Sequence, residues 1–155
     1  MKIITPFIGK IESFSNEYRW LSNFDTVFIP VGKRIFTSVE NAYQASKTIV
    51  EKEKDLFIDC SAKQAKFLGS PKNKSITFRE DFTNEFRLKT MEELVCLKYS
   101  LSEYHKEKLI ATNGIELIEG NWWGDQFFGV CRGKGENHLG KITMRVRDLL
   151  VLQKK

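Results

Sequence analysis

The chain has 155 residues, 41% of them hydrophobic and 29% charged, and its 25 Lys+Arg against 20 Asp+Glu leave a net charge of +5. That balance excludes a mostly disordered chain, and no apolar run approaches the roughly 20 residues of a membrane span. The charge is a mild bias toward anionic partners, phosphates or nucleic acid, and is too weak to name one.

Residues 1–6 lack the apolar core and cleavage site of a signal peptide. Cys60, Cys96 and Cys131 are far apart and odd in number. That predicts no disulfide framework and a cytoplasmic setting. His105 and His138 stand at no metal-ligand spacing with them, so no metal site is expected. Residues 1–36 are predicted to be extended. Ile3-Ile4 and Ile8 to Phe14 are short β-prone runs broken by Pro6 and Gly9. Thr26 to Ile29 and Arg34 to Phe36 flank Pro30 to Lys33 as a hairpin, with Pro30 at the turn end of an edge strand.

Ser38 is predicted to cap a helix from Val39 to about Lys52, which no Gly or Pro interrupts. A second helix runs from Ser61 to Phe67 and is stopped by Leu68-Gly69-Ser70-Pro71. Lys72 to Thr77 is a loop. A long helix from Asp81 to about Ser100 sets Phe82, Phe86, Met91, Leu94, Val95 and Tyr99 at helical spacing. Ser102 caps another helix to Thr112. Ile115 to Ile118 is a short strand, Glu119 to Asn137 a long ordered loop, and Leu139 to Val151 the last helix. That last helix turns Ile142, Val146, Leu149 and Leu150 inward. The predicted architecture is one α+β domain over 1–155, mainly helical, with a small antiparallel sheet near the N-terminus.

Three segments could carry chemistry. Glu40, Tyr43, Gln44 and Lys47 fall at i, i+3, i+4 and i+7 of the first helix and form one stripe, with Glu40 and Lys47 roughly 10 Å apart along the axis. A buried carboxylate can serve as general acid or base, and a desolvated lysine as a nucleophile toward a sugar C1. The same spacing also describes a solvated helix face. The second segment, Glu119 to Gly129, pairs Trp122 and Trp123 beside Gly124 and Asp125. It is either a stacking wall with an acid for hydroxyls or a loop pinned by buried aromatics. The third, Gly129 to Gly140, could turn backbone N–H groups and a helix N-terminus toward an anion, aided by Arg132 and Lys134. It matches neither a Walker motif nor a dinucleotide fingerprint, and a Gly-rich turn with solvated charges fits it equally. Cys131 is either a reactive thiol or a buried one. The 12 phenylalanines build core, or in part wall a pocket for a flat ligand.

Taken in order, these segments resemble one family. The stretches Tyr18-Arg19-Trp20-Leu21-Ser22-Asn23-Phe24, Thr37 to Lys47, Ala65 to Gly69, Leu117 to Asp125 and Gly133 to Lys141 are similar to the NADAR domain of the YbiA-like superfamily. The resemblance implies a compact, mainly helical single YbiA-like domain and an N-glycosidase. Family members act on ribosylamino-pyrimidine intermediates of riboflavin synthesis, or remove ADP-ribose from guanine in nucleic acid. Carried over, Glu40 is the general acid/base, and Lys47 stabilises C1 or traps it as a Schiff base. Trp122, Trp123 and Asp125 line the pocket. Arg19, Ser22, Asn23, Phe24 and the turn Gly133 to Asn137 hold ribose and phosphate. Tyr43, Gln44, Glu119, Gly124, Arg132 and Lys134 complete the substrate-binding set. No cofactor or metal is implied. The expected partner is a phosphate-bearing ribosyl substrate, with nucleic acid as a possible carrier of the modified base and no membrane. Two departures, Asn41-Ala42 and Val130-Cys131, bear on base-specific contacts. The alternatives are a non-catalytic module that binds ADP-ribose or a nucleotide, and a nucleic-acid-binding domain acting through Lys141, Arg145 and Arg147.

Overall fold

The computed structural model describes residues 7–154. The predicted run Ile3-Ile4 lies outside them. In chain order the elements are β1 (Gly9–Ile11), β2 (Ile29–Val31), β3 (Arg34–Phe36), α1 (Val39–Ala45), α2 (Glu51–Lys54), α3 (Ala62–Leu68), α4 (Asn84–Leu101), α5 (Glu103–Ala111), β4 (Ile115–Leu117), β5 (Gly120–Asn121), β6 (Val130–Cys131) and α6 (His138–Lys154). The class is α+β and mainly helical, as expected. Among the described residues, no helix is long and apolar enough to cross a membrane.

The chain folds as two compact units, residues 23–98 and residues 7–22 with 99–154. In the first, β2 and β3 form the predicted antiparallel hairpin. Its turn is Gly32-Lys33, and Pro30 sits inside β2 opposite Ile35 rather than at the turn end. An edge strand tolerates this, because its outer N–H has no ladder partner to lose. The buried side chains of this unit include Val27, Ile29, Phe36, Val39, Phe57, Met91, Leu94 and Val95. Arg34 is buried with them and pairs with Glu51 at 2.6 Å and Asp55 at 2.8 Å, which ties the hairpin to α2.

The helix predicted from Val39 to Lys52 is broken. It ends at Ala45 and resumes as α2. The Ser46 hydroxyl donates to the Tyr43 carbonyl at 2.5 Å, and Arg79 N–H takes the Lys47 carbonyl at 2.8 Å. Thr48 then forms a β-bridge to Phe78. Thr48-Ile49-Val50 is a β-branched run, poorly suited to a helix and well suited to extended backbone. The segment at 78–79 supplies partners for the exposed ends of that backbone.

In the second unit, β1 and β4 pair in parallel, with Ile11 opposite Leu117 and both buried. β5 and β6 form another parallel pair inside the region predicted as loop. Asn16–Leu21 is a 3₁₀ turn that buries Trp20 and Leu21, not the extended segment the sequence suggested. Here burial of two adjacent apolar side chains outweighs local β-propensity. Along α6, Ile142, Val146 and Leu150 are buried as predicted, but Leu149 is 56% exposed. The buried side of α6 runs from Ile142 at one edge through Val146, Leu139, Leu150 and Thr143 to Arg147, and Leu149 falls just outside the Ile142 edge.

Candidate active site

The candidate residues of the 23–98 unit converge on α1. Ser38 caps this helix by accepting from Asn41 N–H at 3.0 Å, and the Asn23 carbonyl accepts from Glu40 N–H at 3.0 Å. Both bonds satisfy donors that a helix N-terminus leaves open. Asn23 therefore acts on Glu40 through its backbone, while its amide donates to Met91 Sδ at 3.4 Å. Every residue of α1 is buried. Asn41 is fully buried and donates to the carbonyls of Phe57 and Cys60, each at 2.9 Å. The amide at this position, one of the two departures from the family pattern, is thus engaged by internal carbonyls.

Glu40 is 8% exposed and accepts from Gln44 Nε2 at 2.7 Å. Gln44 Oε1 is buried and has no hydrogen-bond partner among the described residues. It presses on Gly69, where a Cβ would stand 1.8 Å from it. A side chain at position 69 would displace that of Gln44 from its place between α1 and α3.

Lys47 is not on the helical stripe predicted for it, because α1 ends at Ala45. It sits in the turn that follows, half-buried, and donates to the Gly69 carbonyl at 3.2 Å. Its Nζ stands 5.9 Å from the Tyr43 ring centroid and 5.8 Å from that of Phe82. Burial pushes the Lys47 amine below the usual lysine range; Glu40 pulls it back up, while Arg87 and Lys66 push it down. The Tyr43 hydroxyl accepts from Arg87 Nε at 3.2 Å. Phe24 is half-buried, with the Lys66 ammonium 5.9 Å from its ring centroid.

The remaining candidates lie in the other unit. Arg19 is exposed, and its carbonyl accepts from Ser22 N–H at 2.8 Å. Asn121 organises the Trp loop: its amide donates to the Asp125 carbonyl at 2.8 Å, and its Oδ1 accepts from Asp125 N–H at 3.0 Å. Asp125 Oδ1 in turn accepts from the N–H groups of Phe127 and Phe128, each at 3.0 Å. Trp122 is 83% exposed and Trp123 49% exposed, so the loop is not pinned by buried indoles. The two rings meet edge to face, 5.7 Å apart. Glu119 is half-buried beside Asn121, its Oε2 lying 3.4 Å from the Asn121 amide, and Gly124 adopts φ 91 at the tip.

Asn137 bridges strand and loop, donating to the Leu117 carbonyl at 3.0 Å and accepting from Glu119 N–H at 2.9 Å. Arg132 and Gly133 have φ 54 and 76 and form a two-residue turn closed by reciprocal bonds between Cys131 and Lys134. The N–H groups of Glu136, Asn137, His138 and Leu139 all donate to backbone carbonyls of residues 126–129. The N–H groups of residues 136–139 are thus engaged within the chain, and Arg132 and Lys134 are exposed side chains. Cys131 is buried, the second of its two readings. No group of His, Cys, Asp and Glu among the described residues is gathered as a metal site requires.

The profile of the NADAR domain matches residues 8–151. The chain belongs to the NADAR family. This NADAR domain is 26% identical over 147 residues to the N-glycosidase YbiA of Escherichia coli, covering 92% of this chain and 88% of that one. It is 32% identical over 136 residues to an N-glycosidase of Nostoc punctiforme, covering 84% and 85%. The solution NMR structure of E. coli YbiA superposes with a TM-score of 0.81 at 25% identity, over 97% of this chain and 89% of that one.

Several site residues of this NADAR domain escape the sequence reading. Phe82 is predicted within the helix from Asp81, but α4 begins at Asn84, with Thr83 Oγ1 accepting from Phe86 N–H at 3.1 Å. Gly69 was expected only to stop a helix. Lys66 and Arg87 had no role. Thr83 was the available signal, since a threonine three residues before Phe86 is an N-cap and moves Phe82 out of the helix.

Proposed function

We propose that this NADAR domain is an N-glycosidase that hydrolyses the C1–N bond of a ribose. The substrate is either ADP-ribosylated guanine in nucleic acid or a ribosylamino-pyrimidine phosphate of riboflavin synthesis. The observation that carries the reading is Lys47: a half-buried amine, depressed in basicity by its surroundings and within electrostatic reach of the buried Glu40. The names of its curated relatives support the same class of reaction.

In this reading the neutral Lys47 amine attacks C1 as the leaving nitrogen departs with the bonding pair. Positive charge develops at C1 and is stabilised by the Glu40 carboxylate. Glu40 collects the proton lost by the amine and passes it to the leaving nitrogen. The sugar ring opens to an imine on Lys47, and water adding at C1 frees the ribose and restores the amine.

The test is incubation with each substrate class, followed by mass spectrometry of the released base. Borohydride added during turnover should fix a sugar adduct on Lys47. A folded protein that releases neither base overturns the proposal. Calorimetric binding of ADP-ribose without release would identify a binding module instead.

A further inference from the structure

The turn that carries Lys47 is held from outside its own helix. Where α1 ends, its last carbonyls need donors. Those of Tyr43, Gln44 and Ala45 take the N–H groups of Ser46, Lys47 and Thr48 at 3.1, 3.2 and 3.4 Å. The next two carbonyls both go to Arg79. The Lys47 carbonyl accepts from the Arg79 N–H at 2.8 Å, and the Ser46 carbonyl accepts from Arg79 Nη1 at 3.2 Å. These carbonyls belong to the two peptide units on either side of the Lys47 Cα. Each unit is planar, so fixing both sets the direction in which the Lys47 side chain leaves the backbone.

The guanidinium is itself fixed. It is forked onto Asp81, Nε to Oδ1 at 2.6 Å and Nη2 to Oδ2 at 3.1 Å, and its carbon stands 4.0 Å from the Phe86 ring centroid. A fork and a ring face leave a planar guanidinium little freedom to turn, so Nη1 is aimed at one acceptor. A second tie lies beside it. Thr48 Oγ1 donates to Glu53 Oε2 at 2.8 Å, and the same oxygen accepts from Thr77 N–H at 2.9 Å. Arg79 touches the backbone of Lys47 and not its amine. The charges acting on that amine are Glu40 on α1, Lys66 on α3 and Arg87 on α4.

We propose that Arg79 is a positioning residue: it fixes both peptide units of Lys47 and so aims the amine at C1, with Asp81 holding the guanidinium in register. The reaction in this statement rests on the N-glycosidase reading; the fixing of the turn does not. An attacking atom must stand about 3–3.5 Å from its target and in line, and a displacement of about 1 Å can cost about 100-fold in rate. The Lys47 stem is flexible, so the place of its backbone decides where the amine can reach.

Three variants of the full chain test this. Arg79→Met keeps the stem over Phe86 and removes the donor to Ser46. Arg79→Lys keeps the charge and loses the fork. Asp81→Ala leaves Arg79 in place and frees its guanidinium. Steady-state kinetics and NMR titration of Lys47 Nζ are read beside chemical denaturation. Arg79→Met should lower kcat about tenfold to 100-fold and leave KM within about twofold. Arg79→Lys and Asp81→Ala should fall between it and the wild type. An amine released from its half-buried place gains water, so its titration should move up toward the usual lysine range. The shift should be present in Arg79→Lys, where no charge is lost. Arg79→Met/Asp81→Ala should be no worse than Arg79→Met, because Asp81 acts through Arg79.

A merely structural role would lower stability alone. Unchanged kcat per folded enzyme with an unmoved Lys47 titration therefore overturns the proposal. So does a raised KM at unchanged kcat, which would place Arg79 on the substrate. If Arg79→Met does not fold, Arg79→Lys and Asp81→Ala decide the same question. A displaced Lys47 titration in a protein whose wild type hydrolyses no substrate would retain the fixed turn and reject the N-glycosidase reading. Wild-type hydrolysis with kcat and titration unmoved in the variants would do the reverse.

Discussion

The Lys47 ammonium donates to the carbonyl of Gly69 across 3.2 Å, joining the turn after α1 to the end of α3. That carbonyl is within reach because Gly69 has no side chain, and Gln44 occupies the space a Cβ would need. Gly69→Ala should therefore push α1 from α3 and move Gln44, Glu40 and Lys47 together. A backbone adjustment of this kind costs about 1–3 kcal/mol. The check is chemical denaturation beside hydrolysis assays. Loss of activity greater than the loss of folded protein is expected. An alanine variant as stable and as active as the wild type would mean that the contact is incidental.

Lys47→Met keeps the length of the side chain and removes the charge. Burial disfavours that charge, so the variant should melt at the wild-type temperature or slightly above. Activity should fall by about 100-fold or more, the scale expected for a nucleophile. If the neutral amine is the reactive form, wild-type activity should rise with pH through a pKa below the usual lysine range. A pH–rate profile measures this. A profile flat from pH 6 to 9, with chemistry rate-limiting, would remove the nucleophile role.

Much of the α1 region was legible from residue types alone. Ser38 announces its helix, Ser61 with Gln64 makes a capping box for α3, and Ser102 caps α5 by accepting from His105 N–H at 3.3 Å. These signals are local, so a linear reading finds them. The end of α1 was missed because no Gly or Pro marks it. The break is set by β-branched Thr48-Ile49-Val50 and by a single bridge to Phe78, 30 residues on, and pairing across that distance is invisible to periodicity. The charged neighbours of Lys47 were missed for the same reason: Lys47, Lys66 and Arg87 are widely spaced in sequence, and only the packing of α1 on α3 and the early turn before α4 brings them together.

Glu40→Gln separates shape from charge. The Gln44 amide can still donate to the new side-chain oxygen, so the helix should keep its fold. The charge that raises the Lys47 pKa is gone, and the amine should then lose its proton at lower pH than in the wild type. The acid and base steps fail at the same time. The expected result is activity reduced by about 100-fold or more, with the residual Lys47-dependent limb displaced to lower pH. Site-specific NMR of the lysine Nζ follows the displacement directly. A Lys47 titration that does not move, or moves up, would show that Glu40 does not act on it.

Lys98 lies outside this chemistry and predicts the pH dependence of stability. It is 1% exposed, and burial lowers its pKa to about 7, against the opposing pull of Asp25. An unfolded lysine titrates near about 10.4. Between these values the unfolded chain binds the extra proton, so stability should rise with pH from about 7 to about 10, by up to about 1.4 kcal/mol per unit from this group. Below pH 7 both states are charged and the slope from Lys98 vanishes. Lys98→Met should remove that rise. Urea denaturation at pH 7, 8 and 9 distinguishes the cases: the wild-type curve should gain on the variant with each step. Parallel curves would mean that Lys98 keeps its proton in the fold.

Asp125 offers a test of what an acid does in the exposed tryptophan loop. Its Oδ1 accepts from Phe127 and Phe128 N–H, an arrangement that holds the chain as it turns toward β6. An asparagine oxygen can accept both bonds, whereas alanine cannot. If Asp125 serves the loop's shape, Asp125→Asn should match the wild type in stability and activity. Asp125→Ala should lose about 1–3 kcal/mol from two part-buried donors left without an acceptor. If Asp125 also binds substrate hydroxyls as a carboxylate, Asp125→Asn should raise KM at unchanged stability, because an ionised acceptor makes the stronger bond. Trp122→Ala is the companion variant. At 83% exposure its ring contributes little to the fold, so the melting temperature should stay within a degree or two. A rise in KM for a nucleobase-bearing substrate, absent for ribose 5-phosphate, would assign the indole to stacking on the leaving group. An equal effect on both ligands would instead mean that the loop acts on the sugar end.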